Sequence, residues 1–187
     1  MPKQIADEIV FNAALKTIIA KGYAGATTRA IAEAANINEV TLFRKFGSKA
    51  ELVAAAISYE VAGNKEAALK YSGDVVQDLG NVVQAYISTS EYHSRLFPLI
   101  MSEMSRYPEL RQTMAGPLRF IGQIGQLLAR YQREGRLISE DPMMSVQILL
   151  GPVIVHSMLK RADPDIHLSD LDLQFHIETF VKGRTPD

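Results

Sequence analysis

Residues 9–52 read IVFNAALKTIIAKGYAGATTRAIAEAANINEVTLFRKFGSKAEL, and the spacing of their apolar side chains predicts a series of helices rather than strands. Val10, Ala14 and Ile18 recur one turn apart, so a first helix is expected from about Gln4 to Lys21, with Gly22 as its stop. Three further starts place a side-chain acceptor just before an apolar run. Thr27 or Thr28 opens a helix through Ala35, Asn38 opens another through about Lys45, and Ser48 with Glu51 forms an S-x-x-E capping box at the head of a long helix. Between the second and third lies Ala35-Asn36-Ile37, where asparagine tolerates positive φ better than most residues, and a tight turn is expected. Ile31, Ala35, Ile37, Leu42 and Phe46 can close a small core that fixes the two short helices at one angle.

The rest of the chain bounds what this segment can serve. Its 187 residues are 47% hydrophobic and 22% charged, which supplies a core and excludes an intrinsically disordered chain. Cysteine is absent, so disulfides, thiolate metal sites and cysteine nucleophiles are excluded. His93, His156, His167 and His176 show no metal-binding spacing, and no metal site or cofactor is expected. The N-terminus, MPKQIADEIV, carries acids where a secretory signal would be basic and then apolar. No run of about 18 apolar residues is free of charge or strong polarity, so a cytoplasmic protein with no membrane partner is expected. The net charge is −1, but residues 1–52 hold seven basic and five acidic side chains, a surplus of two that leaves −3 for the remainder. Arg44, Lys45 and Lys49 concentrate the basic part, which fits one local face for nucleic acid.

Beyond Tyr71-Ser72-Gly73, helical segments are expected at about 74–91, 94–106, 108–115, 117–134, 141–161 and 168–182. Pro108 and Pro117 suit first turns, Gly135 suits a helix end, and Asp141-Pro142 reads as a cap followed by proline. Pro98 and Pro152 fall inside apolar helical patterns and are expected to kink them. The fold class is therefore all-α, with no internal repeat or low-complexity segment.

Ala13-Ala14, Gly22-Tyr23, Thr27-Thr28, Ile31-Ala32, Ala34-Ala35, Thr41-Leu42-Phe43, Phe46, Ser48-Lys49 and Glu51-Leu52 occur in this order without a gap. On these residues the chain resembles the TetR family of bacterial transcriptional regulators. The resemblance implies an N-terminal three-helix helix-turn-helix DNA-binding domain over 1–52 and a helical effector-binding and dimerisation domain over 53–187. The helix beginning at Asn38 becomes the recognition helix, entering a major groove about as wide as a helix with its side chains. Asn38, Glu39, Val40 and Thr41 would face DNA, with Asn38 or Glu39 nearer the bases, Thr41 nearer phosphate, and Glu39 able to accept from a cytosine amino group or simply to complement the helix N-terminus. Thr27 is counted among the contacts, and Thr28, Arg29, Phe43, Arg44, Lys45 and Lys49 would clamp the backbone. Lys49 also stands at a helix N-terminus, where free amides favour anions. Two departures stand out: Phe43 replaces a usual tyrosine, and Asn36 replaces a usual turn glycine.

After residue 53 no equally specific motif appears. Tyr86, Phe97, Met101, Met104, Phe120, Met144 and His156, with Met114 nearby, could line a pocket for a small, largely apolar effector, although each also suits ordinary core packing. Gly122 and Gly125 read as points of close helix packing. The resemblance further implies a homodimer through about 141–161 and 168–182, and double-stranded DNA with an inverted-repeat operator as partner. Two rivals were weighed. A small helical enzyme lacks any nucleophile–base pair, phosphate loop or metal cluster, and Asp163, Asp165 and His167 read as a solvated turn, so no catalytic residue is expected. A helical interaction module with a vestigial helix-turn-helix does not account for Arg44, Lys45 and Lys49 together.

Overall fold

The computed structural model describes residues 7–62, 65–88, 90–162 and 165–186. Gln4, Ile5 and Ala6 of the expected first helix, and Asp163 of the expected turn, lie outside these described residues. Every regular element among them is helical: α1 (Asp7–Gly25), α2 (Thr28–Ala34), α3 (Glu39–Phe46), α4 (Lys49–Ala62), α5 (Lys65–Ala68), α6 (Val75–Ser88), α7 (Ser90–Glu103), a 3₁₀ helix (Pro108–Met114), α8 (Ala115–Arg133), α9 (Pro142–Ala162) and α10 (Leu173–Lys182). The chain divides into two compact units, Met1–Gly63 with Glu91–Leu118, and Asn64–Ser90 with Arg119–Asp187. The first of these reaches well past residue 52, taking in α4, α7 and the 3₁₀ helix.

In the first unit, α1 buries Val10, Ala14 and Ile18, the periodic set expected of it, and Phe11 and Leu15 beside them. Gly22, at φ 71, breaks the helix where a stop was expected, and one more turn follows through Gly25. Thr27 caps α2 by accepting from the Ala30 amide at 3.1 Å, and Asn38 caps α3 by accepting from Val40 at 2.8 Å. Between them Asn36 stands at φ 54. The Ile37 amide donates to Ala32 O at 2.9 Å and the Asn36 amide to Glu33 O at 3.1 Å, the paired bonds of a Schellman helix end with asparagine in the left-handed position. That closure sets the angle at which α3 leaves α2, and Ile31 and Leu42 are buried beneath it.

The capping box at α4 forms by half. The Glu51 amide donates to Ser48 Oγ at 3.1 Å, but the Ser48 amide goes to Phe46 O and the hydroxyl donates to Glu51 Oε2 at 2.8 Å. A Cβ on Gly47 would fall 2.5 Å from that carboxylate oxygen, so the carboxylate occupies the space that glycine leaves open. Leu52, Val53 and Ala56 of α4 then complete the core with Leu110 and Thr113 of the 3₁₀ helix.

The second unit is built on α6, α8, α9 and α10. Leu79, Val82 and Val83 of α6, Ile124 and Leu128 of α8, Leu149 and Val153 of α9, and Ile177 and Phe180 of α10 are all buried. Gly125 is the predicted point of close approach: a Cβ there would meet Met143 Sδ at 3.3 Å, whereas Gly122 faces open space. The last helix begins at Leu173 and not at 168, because the Asp172 carboxylate accepts from the Phe175 amide at 2.9 Å and caps it there. Pro98 and Pro152 lie inside α7 and α9, which continue through them. Residues Pro142–Lys160 are long and apolar enough to cross a membrane by length and composition, with mean hydropathy 1.5 and only 28% of that stretch buried. The sequence reading did not register this run because Ser145, Gln147, His156 and Ser157 interrupt it. Its exposed members include Met144, Ile148, Val155 and Met158, an apolar face without an intrachain partner.

Candidate nucleic-acid interface

Three local choices build an outward surface from the first unit. The caps at Thr27 and Asn38 start two short helices side by side, the Asn36 turn fixes their angle, and Leu42 anchors α3 from beneath. With Leu42 inward, residues 40 and 44 fall on the opposite face at helical spacing, with 39 and 43 along one flank. Val40 is 72% exposed and Phe43 61%, flanked by exposed Glu39, Thr41 and Arg44. Large apolar side chains left in water beside a cation suit thymine methyl and sugar contacts, with the cation on phosphate.

The remaining candidates already hold internal partners. Thr28 Oγ1 donates to Glu39 Oε1 at 2.6 Å, joining α2 to α3. Arg29 pairs with Glu33 at 3.1 Å, an exposed i,i+4 contact of little strength. Lys45 pairs with Asp7 and lies 5.6 Å from the Phe46 ring centre. Asn38 uses its carbonyl oxygen on the cap, leaving the amide nitrogen as its donor. Among the described residues, Arg44 is the one expected basic clamp without an internal side-chain partner.

Lys49 departs most from expectation. Its Nζ donates to Tyr23 O at 2.7 Å and sits 3.9 Å from the Tyr23 ring centre, so the ammonium is folded against the end of α1 rather than held out towards solvent. Burial lowers its pKa, while the Glu109 charge acts the other way. Burial, then the Glu109 charge and hydrogen bond, push the Tyr23 phenol up to about 12. Tyr23, Lys49 and Glu109 thus form one polar cluster against the edge of the Tyr107 ring, 5.0 Å from that of Tyr23. Asp7, Tyr23 and Glu109 escaped the sequence reading because each meets its partner across the fold, at separations that carry no local pattern. Lys49→Ala is expected to weaken binding to all DNA sequences alike and to flatten its salt dependence by about one phosphate. It should also lower stability by about 1 kcal/mol through the lost carbonyl and ring contacts. Lower stability with an unchanged salt slope would assign Lys49 to the fold alone.

Family comparison matches this architecture in two blocks. Residues 10–56 match the model described as bacterial regulatory proteins, tetR family, and residues 75–160 match the AefR-like transcriptional repressor C-terminal domain. The chain belongs to the TetR family. It is 27% identical to the HTH-type transcriptional regulator YvkB of Bacillus subtilis (strain 168), over 95% of this chain and 96% of that one. It is similar in structure to the flavonoid-responsive regulator FrrA, with TM-score 0.72 and 25% identity over 96% of this chain and 97% of that one. It also shares the fold of FadR from Bacillus subtilis, solved with stearoyl-CoA, with TM-score 0.69 and 16% identity over 93% and 95%. This TetR family member is therefore a DNA-binding transcriptional regulator with a C-terminal ligand-binding domain, and not an enzyme. Regulators of the family bind DNA and small-molecule ligands and act as dimers.

The expected effector residues divide between the two units. Phe97, Met101 and Met104 belong to the first unit, and Tyr86, Phe120, Met144 and His156 to the second. Phe97 lines an apolar cavity inside the first unit with Leu15 of α1, Ile57 of α4, Ile100 of α7, and Met114, while Glu60 supplies a carboxylate at its wall. Its free space is about 20 Å³, close to what a single water needs. Met101 and Met144 are exposed, and Phe120 is buried in the core.

Proposed function

We propose that this regulator is a homodimeric repressor that holds an inverted-repeat operator and leaves it when a small, largely apolar effector binds. The observation that carries the reading is the outer face of α3, where Val40, Phe43 and Arg44 stand exposed on a helix anchored by Leu42. Residues 1–52 read DNA in this proposal and 53–187 sense the effector and dimerise. Asn38, Glu39 and Val40 meet the groove, Thr41 lies nearer phosphate, Arg29, Phe43, Arg44, Lys45 and Lys49 meet the backbone, and Thr27 and Thr28 complete the contact surface. Pairing runs through about 141–161 and 168–182, supported by the uncovered apolar face of α9 and by Phe175 of α10, also exposed. The protein acts in the cytoplasm, where its operator is.

Tyr86, Phe97, Met101, Met104, Phe120, Met144 and His156 are the proposed effector contacts. Phe97 offers the most direct route to DNA, since the cavity it lines is also walled by α1 and α4. An occupant larger than water must part those helices, and only its preference for the parted state releases the operator. By linkage the operator weakens the effector by the same factor. The name of FrrA, flavonoid-responsive, is in keeping with an apolar ring system as effector. The experiment is selection of random duplex DNA by the purified protein at near-physiological salt. Enrichment of an inverted repeat with half-sites about one turn apart is expected, and return of unselected sequence overturns the reading.

A further inference from the structure

We propose that Thr28 and Glu39 act as one unit that selects cytosine at a position in each half-site, with Thr28 serving as a positioning residue and not as a phosphate clamp. The inference rests on the reading of α3 as the recognition helix.

The geometry comes first. Thr28 stands at the first position of α2 and Glu39 at the first position of α3, and the hydroxyl donates to Glu39 Oε1 at 2.6 Å across the turn. A threonine hydroxyl has one proton, so a Thr28 that donates to Glu39 cannot also donate to a phosphate oxygen. The carboxylate is fixed at one oxygen, and the other is left to accept. Its own helix is capped separately, since Asn38 accepts from the Val40 amide. Glu39 is therefore not the residue that caps α3, and its carboxylate, though it still complements the helix N-terminus, is held by Thr28.

An acceptor with no proton of its own is selective in the major groove. Guanine presents N7 and O6, and thymine presents O4, so each sets lone pairs against the carboxylate. In the duplex, adenine N6 is flanked by an acceptor on each side, its own N7 and the paired thymine O4, whereas cytosine N4 has one on one side only, the paired guanine O6, with the C5–H on the other. Cytosine is therefore the base that meets a held carboxylate with a donor and the fewest opposing lone pairs. Neutral threonine at α2 makes the arrangement depend on a hydrogen bond rather than on charge, so valine in its place removes the constraint at nearly equal volume.

Selection of random duplex DNA is run in parallel with wild type, Glu39→Gln and Thr28→Val, and operator affinities are then measured against single-base variants and against salt. Wild type is expected to enrich cytosine at one position of each half-site, by roughly tenfold over the other bases. Glu39→Gln, which can pair bidentately with adenine, should shift that position towards adenine and leave the rest of the motif in place. Thr28→Val should weaken the preference at the same position alone, with the salt slope unchanged. A uniform loss of affinity in Thr28→Val across matched and mismatched sites would restore the phosphate-clamp role and overturn the pair. A motif unchanged by both substitutions, or one without cytosine at the affected position, would overturn it as well. Failure of wild type to enrich any sequence would instead remove the regulator reading beneath it. Circular dichroism of both variants checks that α2 and α3 remain folded.

Discussion

Asp78→Ala is expected to lower the unfolding free energy by about 3–5 kcal/mol, the largest stability loss of any single polar substitution considered. Asp78 is 1% exposed and lies on α6, where its carboxylate accepts from the Ser72 amide at 2.8 Å, Ser72 Oγ at 2.6 Å and Tyr131 Oη at 2.5 Å. Tyr131 is itself fully buried, and its phenol is pushed up, first by burial and then by the hydrogen bond and charge of Asp78. Removing the carboxylate leaves the Tyr131 hydroxyl and the Ser72 amide without their acceptor and opens a small void. The fully buried Tyr131 hydroxyl left without an acceptor costs about 1–3 kcal/mol and the void and lost bonds to a charged acceptor add to it, whereas the groups of exposed Ser72 can turn to water. Tyr131→Phe, which removes a donor rather than the shared acceptor, should cost about 1 kcal/mol. Urea titration followed by circular dichroism checks both, and an Asp78→Ala midpoint equal to that of wild type would show that the network contributes nothing net.

Val155→Asp is expected to convert the dimer to monomer and to reduce affinity for the inverted repeat by about a hundredfold or more. Val155 is 54% exposed within the chain, so the protomer tolerates the change. At a two-fold interface the same substitution enters twice, and each carboxylate buried without a partner costs several kcal/mol. Losing the partner removes the second half-site from the same binding event, and with it the advantage of high effective concentration. Sedimentation velocity at micromolar protein reads the first effect, and titration of an operator with one or two half-sites reads the second. A variant that still sediments as a dimer would place the contact elsewhere than this face of α9.

The division between what was legible in the sequence and what was not follows the range of the interactions. Caps at Thr27 and Asn38 and the positive φ of Asn36 are decided within a few residues and appear as expected, and of the expected small core Ile31, Ala35 and Leu42 are buried while Ile37 and Phe46 are half-buried. A missing side chain on α8 suggested close approach at both Gly122 and Gly125, but only Gly125 has a neighbour there, because which glycine meets another helix is decided by packing. The start of α10 was misplaced because Ser169, Asp170 and Asp172 all offer cap acceptors, and only packing selects Asp172. Lys49 was read from its place at the head of α4. Its contact with Tyr23, 26 residues earlier, exists only once α1 and α4 have packed. The cavity at Phe97 is equally non-local, since Leu15, Ile57 and Met114 converge on it from three separate stretches.

The prior engagements of Thr28, Arg29, Lys45 and Lys49 bear on how this regulator searches a chromosome. In the proposed complex a phosphate taken by Arg29, Lys45 or Lys49 displaces or shares an existing partner, so the exchange returns less than a bare cation would. Random duplex, which offers phosphates without matching bases, is held loosely by such a surface and released quickly. In the proposed complex the operator keeps its advantage because Val40, exposed at the groove face of α3, gives up no such pair. If those cations do meet phosphate as proposed, the internal pairs of this near-neutral chain act as a filter against lingering, raising the ratio of bound operator to bound bystander DNA without adding one contact to the complex.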